Sequence, residues 1–133
     1  MRSKIRGRVM KYPMIVHEFS FNKIKNGSRK IGVHLLDKKA QQVKLHDVLE
    51  MHNEVTGETL NCEVTGIAIF DNFSDLIDAL TPQALGYDNK EEIILRLERI
   101  YSREQQKELN AVGFFIRPIA DKEYMRYYPE NAR

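Results

Sequence analysis

The sequence changes its hydrophobic period at Gly27, and this change is the feature that most constrains the fold. Residues 21–26 carry apolar side chains at helical spacing, whereas residues 30–36 alternate between apolar and polar or small side chains. Gly27 can end a helix because glycine takes positive φ without the steric cost of a Cβ. The sequence around Gly27–His34 therefore predicts a short helix that ends at Gly27. A basic turn follows, and then a strand with one free face.

Further strands are predicted around this junction. They cover residues 14–16, 30–36, 47–52, 58–70 and 111–119. Pro13 argues against a central position for the first strand, and Gly66 indicates a bulge in the long one. We interpret residues 37–42 as a polar turn. The strands 30–36, 47–52 and 58–70 then follow one another through short connections. Such connections predict that these consecutive strands pair antiparallel.

Helices are predicted between the long strand and the last one. Asn72, Asn89 and Ser102 each precede a helical run and are expected N-caps, and Ser20 has the same role for the first helix. In the helix after Asn89, Glu92 lies four residues before Arg96, which favours an ion pair. We expect Asn110 to end the last of these helices in the left-handed conformation.

These elements predict one α+β domain spanning residues 1–133. Its core covers about residues 14–119, with a basic segment at 1–13 and a tyrosine-rich tail at 120–133 that is either docked or mobile. We expect a curved sheet or small β-barrel of about five to six mostly antiparallel strands, closed by the last strand and flanked by helices.

Charge is distributed unevenly along the chain. Residues 1–30 have a net charge of +8, whereas residues 31–119 have a net charge of −6. The basic end favours an anionic partner, and the alternative is a segment that only increases solubility. The cations proposed to contact phosphate there are Lys4, Arg6, Arg8 and Lys23.

Several classes of protein do not fit the sequence. Cys62 is the single cysteine, which excludes an intrachain disulfide and fits a reducing cytoplasm. The sequence has no secretory hydrophobic region and no apolar run long enough to span a membrane. It has no glycine-rich phosphate loop, and its histidines lack metal-ligand spacing, so we expect no cofactor and no metal.

Four side chains form the most informative constellation: Arg29, Lys30, His34 and Glu63. His34 lies on the free face of strand 30–36, and Glu63 lies on strand 58–70. If the two strands converge, an imidazole and a carboxylate line one cleft. The alternative interpretation is that Glu63 forms a structural ion pair with Arg29 or Lys30, while His34 is an ordinary satisfied polar residue.

The stretch FNKIKNGSRKIGVHLL, residues 21–36, resembles the signature of the ASCH domain family of the PUA-like superfamily. That signature is a helix ending in G-x-K-x-x-E-x-R, with its last part on a strand. Residues 37–47, 70–76 and 101–104 resemble further segments of the family, as does the terminal strand. The resemblance covers about residues 14–119 and implies a PUA-like curved β-barrel.

This chain departs from the signature at its charged positions. Gly27 is in place, but Arg29 stands at the lysine, Gly32 at the glutamate and His34 at the arginine. ASCH-like domains are generally associated with RNA binding, so the resemblance implies RNA or a nucleotide-like ligand. The binding residues predicted for that ligand are Lys25, Arg29, Lys30, Gly32, His34 and Glu63.

Two other functions stay open. Some members of the family resemble amidohydrolases of N-acylated cytidine-like nucleosides, and residues 61–65 resemble the strand that carries their catalytic carboxylate, which would be Glu63. Arg29 and Gly32 replace the lysine and threonine of that branch, and an arginine does not readily act as a base. The third possibility is a regulatory interaction domain whose ancestral pocket has decayed.

Overall fold

The structure, a computed structural model, describes residues 9–128. Its strands are β1 (Lys11–Val16), β2 (Ile31–Leu35), β3 (Val48–Asn53), β4 (Thr59–Phe70) and β5 (Ala111–Pro118). Its helices are α1 (Glu18–Lys25), α2 (Lys38–Gln42), α3 (Phe73–Leu80), α4 (Lys90–Ile100), α5 (Arg103–Glu108) and α6 (Asp121–Tyr127).

The five strands form one curved sheet in the order β1-β3-β4-β5-β2, with the helices flanking it as in a half-barrel. The β1–β3 pair is parallel, and the other three pairs are antiparallel. The predicted α+β class with a curved, mostly antiparallel sheet is confirmed. The strands β1 and β2 are its two edges, and we call the gap between them the open seam. Pro13 is tolerated in β1 because an edge strand needs fewer ladder hydrogen bonds.

The pairing of β2 differs from the prediction. β2 pairs with β5, from Ile31 opposite Phe115 to Leu35 opposite Ala111, and not with β3. The segment between β2 and β3 is not a simple turn, because it contains helix α2. Asp37 caps that helix by accepting a hydrogen bond from the amide of Ala40 at 2.9 Å. The chain therefore leaves the sheet after β2 and returns on the far side of it.

Each face of the sheet has its own core. One face is covered by α1 and α2, whose Phe21, Ile24 and Ala40 pack among buried side chains of the sheet. The other face is covered by α3 and α4, with Leu76 and Ile93 among its buried residues. The described part of the tail, residues 120–128, is docked, since α6 packs against the sheet in a third, smaller cluster. β2 contributes Ile31, Val33 and Leu35 to the second core only, because alternate residues of a strand share one face.

Most of the local predictions are confirmed. The side chains of Asn72, Asn89 and Ser102 accept the expected capping hydrogen bonds. Gly27 has a φ of +86°, and the ladder between β4 and β5 has a bulge at Val64–Gly66.

Two capping predictions are wrong. Ser20 lies inside α1, where its hydroxyl accepts a hydrogen bond from Arg29, and the helix begins after His17 instead. Asn110 does not take the left-handed conformation, because α5 ends at Leu109 in extended backbone.

In the part of the chain that the structure describes, no helix is both long and apolar enough to cross a membrane. Within residues 9–128, no group of three metal-ligating side chains is close enough to hold a metal ion.

Candidate functional site

A cleft of about 400 Å³ lies between α1, the start of β2 and α4, at one end of the open seam. Three of the side chains that line it are arginines, so we call it the arginine cleft. Its lining residues are His17, Ser20, Arg29, Val33, Tyr87, Ile93, Arg96, Leu97, Arg99 and Ile100. This lining contains no carboxylate. It combines an apolar floor with a cationic rim.

Arg29 is fixed in this cleft by neutral partners. Its Nε donates to the carbonyl of Leu85 and its guanidinium donates to the hydroxyl of Ser20, both at 2.9 Å. Its guanidinium carbon lies 4.8 Å from the ring centroid of Tyr87. A Cβ on Gly86 would lie 3.3 Å from the Cβ of Arg29, so glycine at this position allows the close approach.

Arg96 stacks on aromatic rings instead of forming the predicted ion pair with Glu92. Its guanidinium carbon lies 4.4 Å from the ring centroid of Phe19 and 5.8 Å from that of Tyr87. The ammonium of Lys23 lies over the same two rings, at 4.7 and 5.8 Å. These cation–π contacts stabilise the charge of Arg96 less than an ion pair with a carboxylate would. Phe19 is nevertheless 41% exposed.

The cations of this region are not neutralised by acidic side chains. Five of them form no ion pair with any carboxylate of residues 9–128, namely Lys23, Arg29, Lys30, Arg96 and Arg99. Burial lowers the pKa of Arg29, the neighbouring Tyr87 opposes that shift, and the charge of Arg96 lowers the pKa further. Guanidinium groups stay charged at neutral pH in proteins, so Arg29 carries a positive charge. Two like charges are therefore held close together without a counterion from the described residues.

Gly32 and His34 lie on the opposite face of β2 from Val33, which lines the arginine cleft, because successive strand residues alternate. The ring of His34 packs 5.7 Å from that of Phe114, and a Cβ on Gly32 would come within 3.3 Å of its Nε2. The absence of a side chain at position 32 thus gives the imidazole its space. His34 faces a second cavity of about 230 Å³ along the open seam, between β1 and α2.

Burial lowers the pKa of His34 to about 4, and the charges of Arg29 and Lys39 act in the same direction while Asp37 opposes them. The imidazole is therefore neutral at physiological pH. A neutral imidazole offers one hydrogen-bond donor and one acceptor, which suits an uncharged polar group of a ligand.

Glu63 does not reach the arginine cleft. It points away from the face that carries His34 and is fully buried, with its carboxylate 2.7 Å from Arg117 and 2.7 Å from His46. Arg117 also donates two hydrogen bonds to Glu123 of α6. We call these four residues the Glu63 network. The ion pair expected for Glu63 thus forms with Arg117 and not with Arg29 or Lys30.

The remaining predicted site residues are either exposed on the surface or lie outside residues 9–128. Lys25 is exposed and pairs with Glu58 at 2.5 Å, whereas Lys30 is exposed at the entrance to β2. Three predicted phosphate contacts, Lys4, Arg6 and Arg8, lie outside the described residues.

Sequence reasoning missed four residues of this region: Phe19, Tyr87, Arg96 and Arg99. The signal for Arg96 was a cation inside the apolar stripe of α4, between Ile93 and Leu97, which a purely solvated helix face does not explain.

No protein-family model and no curated protein matches this sequence. Solved structures do match it. The hypothetical protein PH0355 has a TM-score of 0.74 and 28% identity, over 83% of this chain and 100% of that one. The protein PF0455 from Pyrococcus furiosus has a TM-score of 0.65 and 27% identity, over 83% of this chain and 98% of that one. ASCH from Zymomonas mobilis has a TM-score of 0.57 and 10% identity, over 87% of this chain and 77% of that one. The protein therefore has an ASCH-like fold.

Proposed function

We propose that this ASCH-like domain binds single-stranded RNA, or a nucleotide-like ligand, in the arginine cleft. The observation that carries the proposal is the pair Arg29 and Arg96, which share the ring of Tyr87 and repel each other without a carboxylate between them. A phosphate group placed at the cleft would relieve this repulsion, because charge-assisted hydrogen bonds between guanidinium and phosphate are strong.

The shape of the cleft supports a nucleotide over a simple inorganic anion. Its floor is apolar, with Val33, Ile93 and Leu97, and its rim is cationic. Phe19 is exposed beside the guanidinium of Arg96. Proteins that bind single strands combine these parts: cations track the phosphates, and aromatic or guanidinium planes stack on the bases.

His34 extends the site along the open seam. Its neutral imidazole and the cavity that it lines suit the polar edge of a base, whereas the arginine cleft suits the phosphate. Lys30 lies at the entrance to β2 and supplies a further charge. A cytoplasmic location, where RNA is abundant, is part of the same proposal.

No observation favours the amidohydrolase alternative. Its carboxylate would be Glu63, which is buried against Arg117 on the other face of the sheet from His34. Its amine would be replaced by Arg29, whose guanidinium is engaged with Ser20 and Leu85. The remaining alternative is a regulatory domain with a decayed pocket. The RNA-binding measurement described next distinguishes it from the proposal.

The test is fluorescence anisotropy with a labelled, unstructured RNA of about twelve nucleotides, a length within the range of known single-strand sites. We expect binding that weakens as salt rises, since the bound cations release counterions from the RNA. The double substitution Arg96→Ala with Arg99→Ala should weaken binding at least about tenfold and reduce the salt slope by about one to two. Competition by a mononucleotide then separates a nucleotide site from one that requires a longer strand.

The matched control is Lys107→Ala with Lys122→Ala. It also removes two exposed helix cations, but neither of them lines the cleft. It should change the affinity less than about twofold. If the wild-type protein shows no salt-dependent binding, or both double variants lose the same affinity, the proposal fails and the decayed-pocket alternative is favoured.

A further inference from the structure

Strand β4 is longer than its neighbour β3, and its second half has an uncovered edge. The register between β3 and β4 ends where Val48 lies opposite Glu63. Beyond it, only Val64 is held on that side, through backbone hydrogen bonds with His46 and Asp47 of 2.8 and 2.9 Å. Residues Thr65–Phe70 bond to β5 on one side. On the other side their backbone has no hydrogen bond to any residue within 9–128.

We call Thr65–Phe70 the free edge, and its composition is unusual for an exposed strand edge. The sequence TGIAIF has no charged residue and no proline. Ile67 and Ile69 are 37% and 53% exposed and lie opposite Phe114 and Val112 of β5. Proteins normally protect open edges with charges, prolines or covering elements, because free backbone groups template pairing with another strand.

Of the two edge strands of the sheet, β1 and β2, the first shows that protection. β1 carries Lys11 and Pro13 within its six residues, and Lys11 is paired with Glu50. A lysine and a proline oppose the addition of a further strand. The free edge of β4 lacks both devices, which is consistent with an edge that is covered in the working protein.

We propose that the free edge pairs with the same edge of a second copy of this chain, antiparallel and around a two-fold axis. An uncharged strand can face itself without opposing like charges, as a two-fold interface requires. The two ends of the free edge differ in charge. Lys44 and His46 lie beside the Thr65 end, and Asp71 follows Phe70.

Antiparallel pairing brings these ends together. Asp71 of one copy then lies near the partner's Lys44, whereas parallel pairing would separate them. Lys44 and Asp71 are both exposed, and neither forms an ion pair with another residue of 9–128. Leu45, 53% exposed beside the same end, adds apolar surface for the partner to cover. The charge pattern thus favours pairing with a second copy in the antiparallel orientation.

The pairing is short, since the free edge spans six residues bounded by Val64 and by the end of β4. An interface built on one strand pair is smaller than the standard interface of about 1,600 Å², so the dimer should be weak and concentration-dependent. The two half-barrels would share one continuous sheet.

The experiment is sedimentation velocity of the full chain from about 5 to 500 μM, the range in which a small interface populates. We expect the wild-type protein to shift from monomer to dimer over this range. Ile69→Lys places a charge at the free edge and should move the midpoint at least about tenfold higher. Leu95→Lys is the matched control, because Leu95 is 63% exposed on α4, and it should leave the midpoint unchanged.

Charge exchange tests the orientation. Asp71→Lys should weaken the dimer, because it places like charges at both ends of the pairing, and adding Lys44→Asp should restore it. Circular dichroism of each variant establishes that the fold is intact. A wild-type protein that stays monomeric throughout, a dimer that tolerates Ile69→Lys, or a double charge exchange that does not restore association would each overturn the proposal. RNA binding is measured separately at low protein concentration and does not depend on this result.

Discussion

Two regions of the molecule hold charged side chains at the sheet, and they differ in the partners of those charges. In the Glu63 network, a fully buried carboxylate is matched by Arg117 and His46, and Arg117 is matched again by Glu123. In the arginine cleft, Arg29 and Arg96 are matched by rings, a hydroxyl and a carbonyl, without a carboxylate among the described residues. A network complete in itself stabilises the fold, whereas an incomplete one is suited to a ligand that completes it.

The largest expected effect is on stability, from Glu63→Gln. This substitution weakens the charge-assisted hydrogen bonds that the buried carboxylate accepts from Arg117 and His46, so we expect the free energy of unfolding to fall by about 3 kcal/mol, measured by urea denaturation. Glu54→Gln is the control, because the pair of Glu54 with His17 is exposed. Its loss should lower the free energy of unfolding by less than about 1 kcal/mol. RNA affinity of the folded Glu63→Gln protein should be unchanged. A loss of affinity there would remove the distinction between the two regions.

The next effect depends on pH and concerns His34, which lies near the cleft but outside the Glu63 network. Its pKa is lowered to about 4 in the folded protein, against about 6.5 in the unfolded chain. Between these values the unfolded state binds a proton that the folded state does not, so stability is complete above pH 6.5 and is lost as pH falls towards 4. The loss is up to about 3 kcal/mol.

Urea denaturation of the wild-type protein and of His34→Gln at pH 7 and pH 4.5 isolates this contribution. The variant should lose less stability than the wild-type protein over that interval. Equal losses would mean that the imidazole is already charged in the folded protein.

A smaller effect is expected on binding, from Phe19→Leu. Removing the exposed ring should weaken RNA binding by about 1–2 kcal/mol, because stacking of a base on an aromatic ring contributes that order of free energy. The salt dependence should stay the same, since no charge is lost. Leu95→Ala, which removes an exposed apolar side chain of α4, is the control in the same anisotropy assay. An unchanged affinity in Phe19→Leu would restrict the cleft to phosphate contacts.

The smallest effect is expected at Lys25. Although it belongs to the predicted binding residues, its ammonium is paired with Glu58 on the surface. Lys25→Ala should therefore change RNA affinity less than about twofold and stability by less than about 1 kcal/mol. A loss comparable to that of the Arg96 and Arg99 double variant would show that the paired cation also contacts the ligand.

The sequence allowed the prediction of those parts of the fold that depend on neighbours in the chain. The caps at Asn72, Asn89 and Ser102 involve hydrogen bonds three residues apart, so their pattern is visible in the sequence. Ser20 carries the same local signal, but its hydroxyl bonds to Arg29 after the chain has turned back. The pairing of β2 with β5 joins segments separated by more than seventy residues, and no local pattern encodes it.

The candidate site was predictable to a similar extent. Arg29 was found because it follows a recognisable helix end. Arg96 was assigned to an ion pair because helical spacing favours Glu92, yet tertiary packing places its guanidinium on Phe19 instead. The separation of His34 from Val33 in the arginine cleft follows from strand alternation, but the separation of both from Glu63 required knowing that β5 lies between β2 and β4.

The position of β5 also has a consequence for how the protein is made. β5 is the last strand of residues 9–128 but lies between β4 and β2 in the sheet. Until residues 111–118 have been synthesised, β2 has no neighbour to bond to, and the sheet can contain only β1, β3 and β4. The edge strand β2, which carries Val33 on one face and His34 on the other, is therefore completed late. Its assembly depends on contacts distant in sequence, which form slowly. A chain truncated before Ala111 should lose β2 together with both cavities of the open seam.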